Sequence, residues 1–289
     1  MTPEELHNIY RAESEFWWYQ GMRAITWALL DPAAVRRSIT RRTAVLLPVH
    51  LYGQCCDLGA FRLLAEEFGC ALIQDAAQAH GAQFQRRPLS GFSDWVAFSF
   101  YPTKNLGCLG DGGALITNQP RLAANARMFR DGGRRGSHVA SSEGINSRLD
   151  ELQAAILRVH LKRLKKWNRR RAQLARLYDH CLAKWTPNRI RLLGQVSGSR
   201  SCHHLYVIRI RQRQALRHFL ADRGIETAVH YDSPLHLHPA FRLLGYRRGD
   251  FPIAEQAARE VLSLPLHPWL TDREAERVAR EIGRFLEQR

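Results

Sequence analysis

Between residues 41 and 117 short apolar runs alternate with an amphipathic stretch, and this alternation predicts an α/β protein with a mostly parallel sheet. Two further observations complete the outline. A rhythm of three- and four-residue steps after Ser147 predicts one long helix, and the shorter segments after Pro187 predict a small C-terminal α+β unit.

The elements follow in order. RRTAVLLPVHLYG (41–53) holds an apolar run closed by His50–Gly53, a strand and a turn. Residues 57–69 predict a helix with Leu58, Phe61, Leu64 and Phe68 near one face. CALIQD (70–75), DWVAFSF (94–100) and GGALIT (112–117) predict three more strands, the first ending in an acid and the second carrying Ser99 near its end. The long helix has Leu152, Ile156, Val159, Arg163, Trp167, Leu174, Tyr178 and Cys181 as its apolar stripe. Ser147 with Asp150 and Glu151 marks its start and Pro187 its stop. After it come a strand (205–210), a helix (213–223), a turn at Gly224, a second strand near 226–231 and a final helix from Thr271. No repeat and no low-complexity segment interrupts the chain.

Composition narrows the function classes. No run of 18 apolar residues offers a membrane-spanning helix, and MTPEELHNIYRAESE lacks the basic-then-apolar pattern of a secretory signal, so a cytoplasmic location is expected. The six cysteines show no CxxC pair and no metal-ligand spacing; neither a metal site nor a disulfide framework is expected. The formal net charge of +16 suits a nucleic-acid partner, yet it arises from 38 arginines against 5 lysines, a bias typical of codon usage in a GC-rich genome. The densest basic run, HLKRLKKWNRRR (160–171), falls inside the long helix, where it reads first as a solvated face. A nucleic-acid role is therefore not expected.

Chemistry enters at the strand ends, beyond which ligands bind in such sheets. Lys104 is the only lysine in the first 161 residues. Where arginine meets every generic need for a cation, a single lysine suggests a primary amine that can deprotonate and attack a carbonyl, which a guanidinium cannot do. A surface lysine is the plainer alternative. Asp75 ends a buried run, which suits a carboxylate against the pyridine nitrogen of pyridoxal 5'-phosphate (PLP), and equally suits a turn cap. Ser99, five residues before Lys104, is either a phosphate donor or a turn former.

Six stretches settle the direction of these readings: TAVLLPVHLYGQ (43–54), QDAAQAHGA (74–82), FSFYPTKNLGCLGDGGALITN (98–118), GINSRLDELQAAIL (144–157), GIETAVHYDSPLHLHPAF (224–241) and VLSLPLHPWLTDREAERV (261–278). In order and spacing, the chain from about Leu30 to Arg289 resembles the DegT/DnrJ/StrS family of PLP-dependent nucleotide-sugar aminotransferases. The resemblance implies fold type I, a homodimer with PLP at the interface, and amino-sugar biosynthesis in which an amino donor, usually glutamate, aminates a nucleotide-linked keto sugar. It assigns Lys104 to the Schiff-base lysine, Asp75 to the partner of the pyridine nitrogen, Gln78 to the cofactor ring, and Ser99 to the phosphate. Asn146 matches an asparagine lent to the phosphate by the neighbouring subunit, and His230 and Tyr231 match a stretch near the substrate entrance.

The resemblance also divides the chain: a foreign N-terminal segment (1–29), a truncated PLP-binding large domain (30–146), the connecting helix (147–187) and the small domain (188–289). Family members carry more chain before the segment matching DPAAVRRSITRRTAV (31–45), including a serine/glycine/threonine turn for the phosphate and an aromatic residue over the ring. AESEFWWYQGMRAITWALL (12–30) is instead similar to the opening helix of some class I S-adenosylmethionine methyltransferases, without their glycine-rich loop. Trp17 and Trp18 read as a packing or oligomer contact. A catalytically impaired relative that binds PLP poorly is the alternative this departure implies.

Overall fold

The computed structural model describes residues 32–136 and 139–288, so the segment 1–29 with Trp17 and Trp18 lies outside the described residues. The chain forms two compact units: residues up to Leu51 with Cys55–Leu164 and Ser197–Arg200, and Tyr52–Gln54 with Lys165–Val196 and Ser201–Arg289.

The first unit begins with α1 (Pro32–Ser38), β1 (Val45–Leu46), α2 (Leu58–Phe68) and β2 (Ala71–Asp75). A hairpin of β3 (Gln83–Phe84) and β4 (Arg87–Pro88) precedes β5 (Trp95–Ser99), β6 (Gly113–Ile116) and α3 (Pro120–Arg130). The helix α4 (Glu151–Leu182) contributes to both units. Then come β7 (Arg191–Leu192) of the second unit and β8 (Ser199–Arg200), which pairs with β3 in the first. The remainder belongs to the second unit: β9 (Tyr206–Arg209), α5 (Arg213–Ala221), α6 (Pro252–Glu260), β10 (Val261–Leu264) and α7 (Asp272–Glu287).

The main sheet of the first unit runs β1-β2-β5-β6. β1–β2 and β2–β5 are parallel and β6 runs antiparallel to β5, so the sheet is mixed at one edge and otherwise parallel, as the alternation predicts. α2 is the crossover between the first two strands. Asp57 caps its start through Ala60 N at 3.0 Å, and Gly69 ends it at φ 66°. Leu58, Phe61 and Leu64 are buried as predicted; Phe68 is 40% exposed and lies instead beneath the Arg36 guanidinium.

In the second unit an antiparallel sheet, β10-β9-β7, packs with α5 and α7 around Tyr178, Leu182, Ile208, Leu216, Leu262 and Ile282. Burying each such side chain contributes about 1.5–3 kcal/mol. α7 opens on a capping box between Thr271 and Glu274, at the start the sequence indicates. The strand expected near 226–231 does not form: Ala228 makes one bridge to Ser263, and the partner of β9 is β10. All four residues of β10 are buried, whereas Thr227, Ala228 and their neighbours lack a continuous apolar run.

α4 forms, but starts at Glu151 and ends at Leu182, with Pro187 beyond a short turn at Ala183–Trp185. Its second half buries Leu174 and Tyr178 as predicted. In its first half the stripe is displaced by one residue: Leu152 and Val159 are 69% and 56% exposed, while Gln153, Leu157, His160 and Leu164 face inward. One helical residue is about 100° of rotation, enough to exchange a covered face for an uncovered one. Among the described residues no helix is long and apolar enough to cross a membrane.

Candidate active site

Asp75 is the last residue of β2, held by its neighbours on both sides. Its amide donates to Pro48 O at 3.0 Å and its carbonyl accepts from His50 N at 2.9 Å, while Ala76 N donates to Ala97 O at 2.8 Å. The carboxylate turns back so that Oδ1 accepts from Ala77 N at 2.9 Å, which fixes the side chain where the chain leaves the sheet. Beneath it, Gln74 is fully buried and donates from Nε2 to Leu89 O at 2.8 Å and to Ser93 Oγ at 2.6 Å. With both amide hydrogens used, Oε1 must accept from His50 Nε2, 2.7 Å away. His50 therefore carries its proton on Nε2 and turns Nδ1 to Cys56 N at 3.4 Å. Burial pushes the His50 pKa down to about 4.

Ser99 ends β5, the parallel neighbour of β2. Asp75 lies opposite Ala97, so the serine hydroxyl sits two residues further along the same sheet edge. Ser99 Oγ accepts from Tyr101 N at 3.2 Å. Phe100 N donates to Gly112 O at 2.7 Å and Cys108 N to Phe100 O at 2.8 Å, so residues 100–112 close into a loop whose ends meet. Lys104 sits within it, its amide on Tyr101 O at 2.9 Å. The loop is too tight for a side chain at Gly107, where a Cβ would meet Pro102 O at 2.5 Å.

The Lys104 ammonium is half-buried, and burial holds it below the ordinary lysine range while the Asp75 charge pulls the other way. The two groups thus share one electrostatic environment. His80, 3% exposed, packs its ring 5.1 Å from that of Phe98 and 6.0 Å from that of Phe100. Burial lowers its pKa to about 4 against the effect of hydrogen bonding to the Ser99 backbone, and the Lys104 charge lowers it further, so His80 is neutral.

The structure thus brings Asp75, Ser99 and Lys104 to the C-terminal ends of adjacent parallel strands. Gln78 is half-buried in the turn three residues after Asp75. Asn146 lies apart and exposed, in a segment tied to the end of α3 through its bridge to Asp131 and through Ser147 N to Arg130 O at 2.8 Å. Gly144 in that segment lies so close to the Gly133 amide that a Cβ would be 2.1 Å from it. His230 and Tyr231 belong to the second unit. There His230 Nδ1 pairs with Ser263 Oγ at 2.8 Å and its carbonyl accepts from the Tyr52 hydroxyl. A surface cleft of the first unit, lined by Gln83, Gln85, Arg86, Gly198, Ser199 and Arg200, contains none of these groups. Among the described residues no group of three His, Cys, Asp or Glu could hold a metal ion.

A half-buried amine, a carboxylate and a hydroxyl gathered at the C-terminal edge of an α/β sheet are groups that can serve carbonyl chemistry through lysine. Comparison with known proteins agrees. The DegT/DnrJ/EryC1/StrS aminotransferase family model matches residues 18–283, beginning inside the segment 1–29. The erythromycin biosynthesis sensory transduction protein EryC1 of Saccharopolyspora erythraea is 48% identical over 86% of this chain and 68% of its own length. The dTDP-3-amino-3,4,6-trideoxy-α-D-glucose transaminase of Streptomyces venezuelae is 46% identical over 90% of this chain and 68% of its own length. Among solved structures, S. venezuelae DesV superposes with a TM-score of 0.86 at 45% identity, covering 89% of this chain and 69% of that one. NtdA of Bacillus subtilis, with bound cofactor PMP, superposes at 0.81 and 29% identity, covering 91% and 61%. The chain belongs to the DegT/DnrJ/EryC1/StrS aminotransferase family. It is a PLP-dependent sugar aminotransferase.

The residues fit PLP by the chemistry of the donor set. Lys104 offers an amine for the aldehyde, Asp75 an anion for a protonated ring nitrogen, and Ser99 a donor for phosphate. Three neighbours escape the sequence reading: His80, and Gln153 and His160 on α4. His80 stands inside a quoted motif with no signal of its own. Gln153 and His160 carry one, being polar residues seven apart on a helix, which puts them on one face.

Proposed function

We propose that this enzyme transfers an amino group from glutamate to a keto sugar linked to a dTDP or UDP nucleotide. The observation that carries the reading is the half-buried Lys104 amine, held below its ordinary range and coupled to Asp75. When bound, PLP supplies an electron sink. The chain's own residues do the rest. Asp75 would face the ring nitrogen and favour its protonated form, Ser99 Oγ would donate to the phosphate, and Gln78 would steady the ring. Lys104 Nζ would hold the cofactor and would carry the proton to and from the donor's α-carbon and, in reverse, the sugar carbon. His230 and Tyr231 contribute to the sugar side.

The protein acts as a homodimer in which Asn146 reaches the partner's phosphate site. Two features support this: Asn146 is exposed in its own protomer, and the first unit leaves Leu109, Leu115, Ile145, Leu152, Val159 and Leu161 each more than half exposed. Sedimentation at micromolar concentration should give a dimer; a clean monomer would refute this part. A cytoplasmic location suits the six free cysteines, which a reducing compartment maintains. The deciding experiment is titration with PLP: the wild type should develop the visible band of lysine-bound cofactor and Lys104→Ala should not. Wild-type protein without a band at saturating PLP would overturn the proposal.

A further inference from the structure

The loop that carries Lys104 is gripped by one face of α4. Gln153 Oε1 accepts from Leu109 N at 2.8 Å, and His160 Nδ1 lies 2.7 Å from Gly107 O. A carbonyl only accepts, so His160 carries a proton on Nδ1 and donates it. Between these two, Leu157 is buried with Leu106 and Cys108 in a small apolar cluster, against which Phe100, Leu149 and Leu164 pack. Residues 153, 157, 160 and 164 follow steps of four, three and four, a single helical face. Their order along the helix is acceptor, apolar, donor, apolar. It meets an amide, two buried side chains and a carbonyl on four consecutive loop positions, 106–109.

The grip acts on backbone that has little freedom of its own. Asn105, Leu106, Gly107 and Cys108 are all buried, and Gly107 lies against Pro102. Gly110 lies close against the same side chain: a Cβ there would be 3.2 Å from Gln153 Nε2. The Cys108 thiol lies 3.0 Å from Phe100 O and 2.9 Å from Gly110 O, closing the loop from within. Closure by Cys108 fixes the loop's shape. The loop's ends are held by the β5–β6 pairing, and the α4 contacts reference its middle to a further element.

We propose that Gln153 and His160 are positioning residues that set the location of Lys104 over the sheet edge, by clamping the backbone amide of Leu109 and the carbonyl of Gly107. The proposal rests on Lys104 being the cofactor-bearing amine. A displacement of about 1 Å at a reacting group can cost about 100-fold in rate, so a clamp on backbone groups three and five residues from Lys104 is felt in turnover.

The test uses the full chain. Hydrogen exchange of peptides spanning 101–112, measured without added PLP, should be about tenfold faster in Gln153→Ala and in His160→Phe, the effect of losing one neutral hydrogen bond. His160→Phe keeps the ring volume, and His160→Asn, whose side-chain nitrogen can take the place of Nδ1, should restore wild-type exchange. With PLP bound, Gln153→Ala and His160→Phe should shift the pH midpoint of the visible band and lower kcat with KM for the amino donor held, and His160→Asn should restore both. If Gln153→Ala does not fold, the His160→Phe and His160→Asn pair carries the test. Wild-type exchange in His160→Phe overturns the clamp, as does a loosened loop with an unchanged band midpoint and kcat. A wild type without a PLP band overturns the reading of Lys104, and this proposal with it; a wild-type band with unaltered variants overturns the clamp alone.

Discussion

Acid should weaken this fold well before its carboxylates titrate, because two buried histidines are neutral in the folded state. His50 and His80 each have a folded pKa of about 4 against an ordinary value of 6.5, with burial the leading cause in both. Since the folded value is the lower one, the unfolded chain takes up protons first as pH falls. The contribution is complete above pH 6.5 and is lost as pH falls through 4. At pH 5 an unfolded imidazole is almost fully protonated and the folded one barely so, a cost of about 2 kcal/mol per histidine relative to pH 8. Together they remove about 4 kcal/mol, a large part of a typical total of about 5–15 kcal/mol. Hydrogen bonds to Gln74 and to the Ser99 backbone oppose burial only in part. His50 faces the Gln74 amide and the Cys56 thiol, whose own pKa burial pushes up, and His80 faces the Lys104 cation. Urea unfolding followed by circular dichroism at pH 8, 7, 6 and 5 reads the slope directly. His50→Gln keeps a donor for Gln74 and His80→Phe keeps a ring between Phe98 and Phe100, so each should remove about half of the slope, at some cost in stability at pH 8. The carboxylates of Glu67, Asp131 and Glu274 are held below their ordinary values by partners, and their contributions fade only under the ordinary carboxylate range, a separate window. A double variant as acid-sensitive as the wild type between pH 7 and 5 would refute the reasoning.

Two further changes have sizes that follow from single contacts. Ser99→Ala should raise the Kd for PLP about tenfold to a hundredfold, since a hydrogen bond to a charged group contributes about 1.5–3 kcal/mol and each tenfold is about 1.4 kcal/mol; absorbance titration measures it. Thr271→Ala removes the acceptor for Glu274 N and breaks the capping box of α7, so the second unit should lose about 1 kcal/mol by urea midpoint at unchanged m, with the PLP Kd unaffected.

What the sequence discloses and what it hides divide along physical lines. CALIQD and DWVAFSF are continuous apolar runs, and strands buried in a parallel sheet need such runs, so β2 and β5 are legible together with the residues that end them. Lys104 is legible because arginine has displaced lysine nearly everywhere else. The hairpin β3–β4 is not. Its two-residue turn is Gln85-Arg86, both at positive φ, where the usual signal is asparagine or aspartate with glycine. β10 is hidden for another reason: VLSL is four residues long, follows directly on α6, and owes its burial to packing by α5 and β9, which no local pattern carries.

α4 shows where periodicity stops being sufficient. Its first half has apolar residues on two faces: Leu152, Ile156 and Val159 on one, Leu157 and Leu164 on the other. A count of apolar residues at helical spacing favours the first, and the protomer buries the second. The tie is broken by polar residues. Gln153 and His160 lie on the buried face because the Lys104 loop presents a bare amide and a bare carbonyl there, and covering those with leucine would leave both unsatisfied in an apolar setting. The face richer in apolar residues is thus left for another surface to cover, and the face that meets the catalytic loop is marked by polar residues at the spacing of two helical turns.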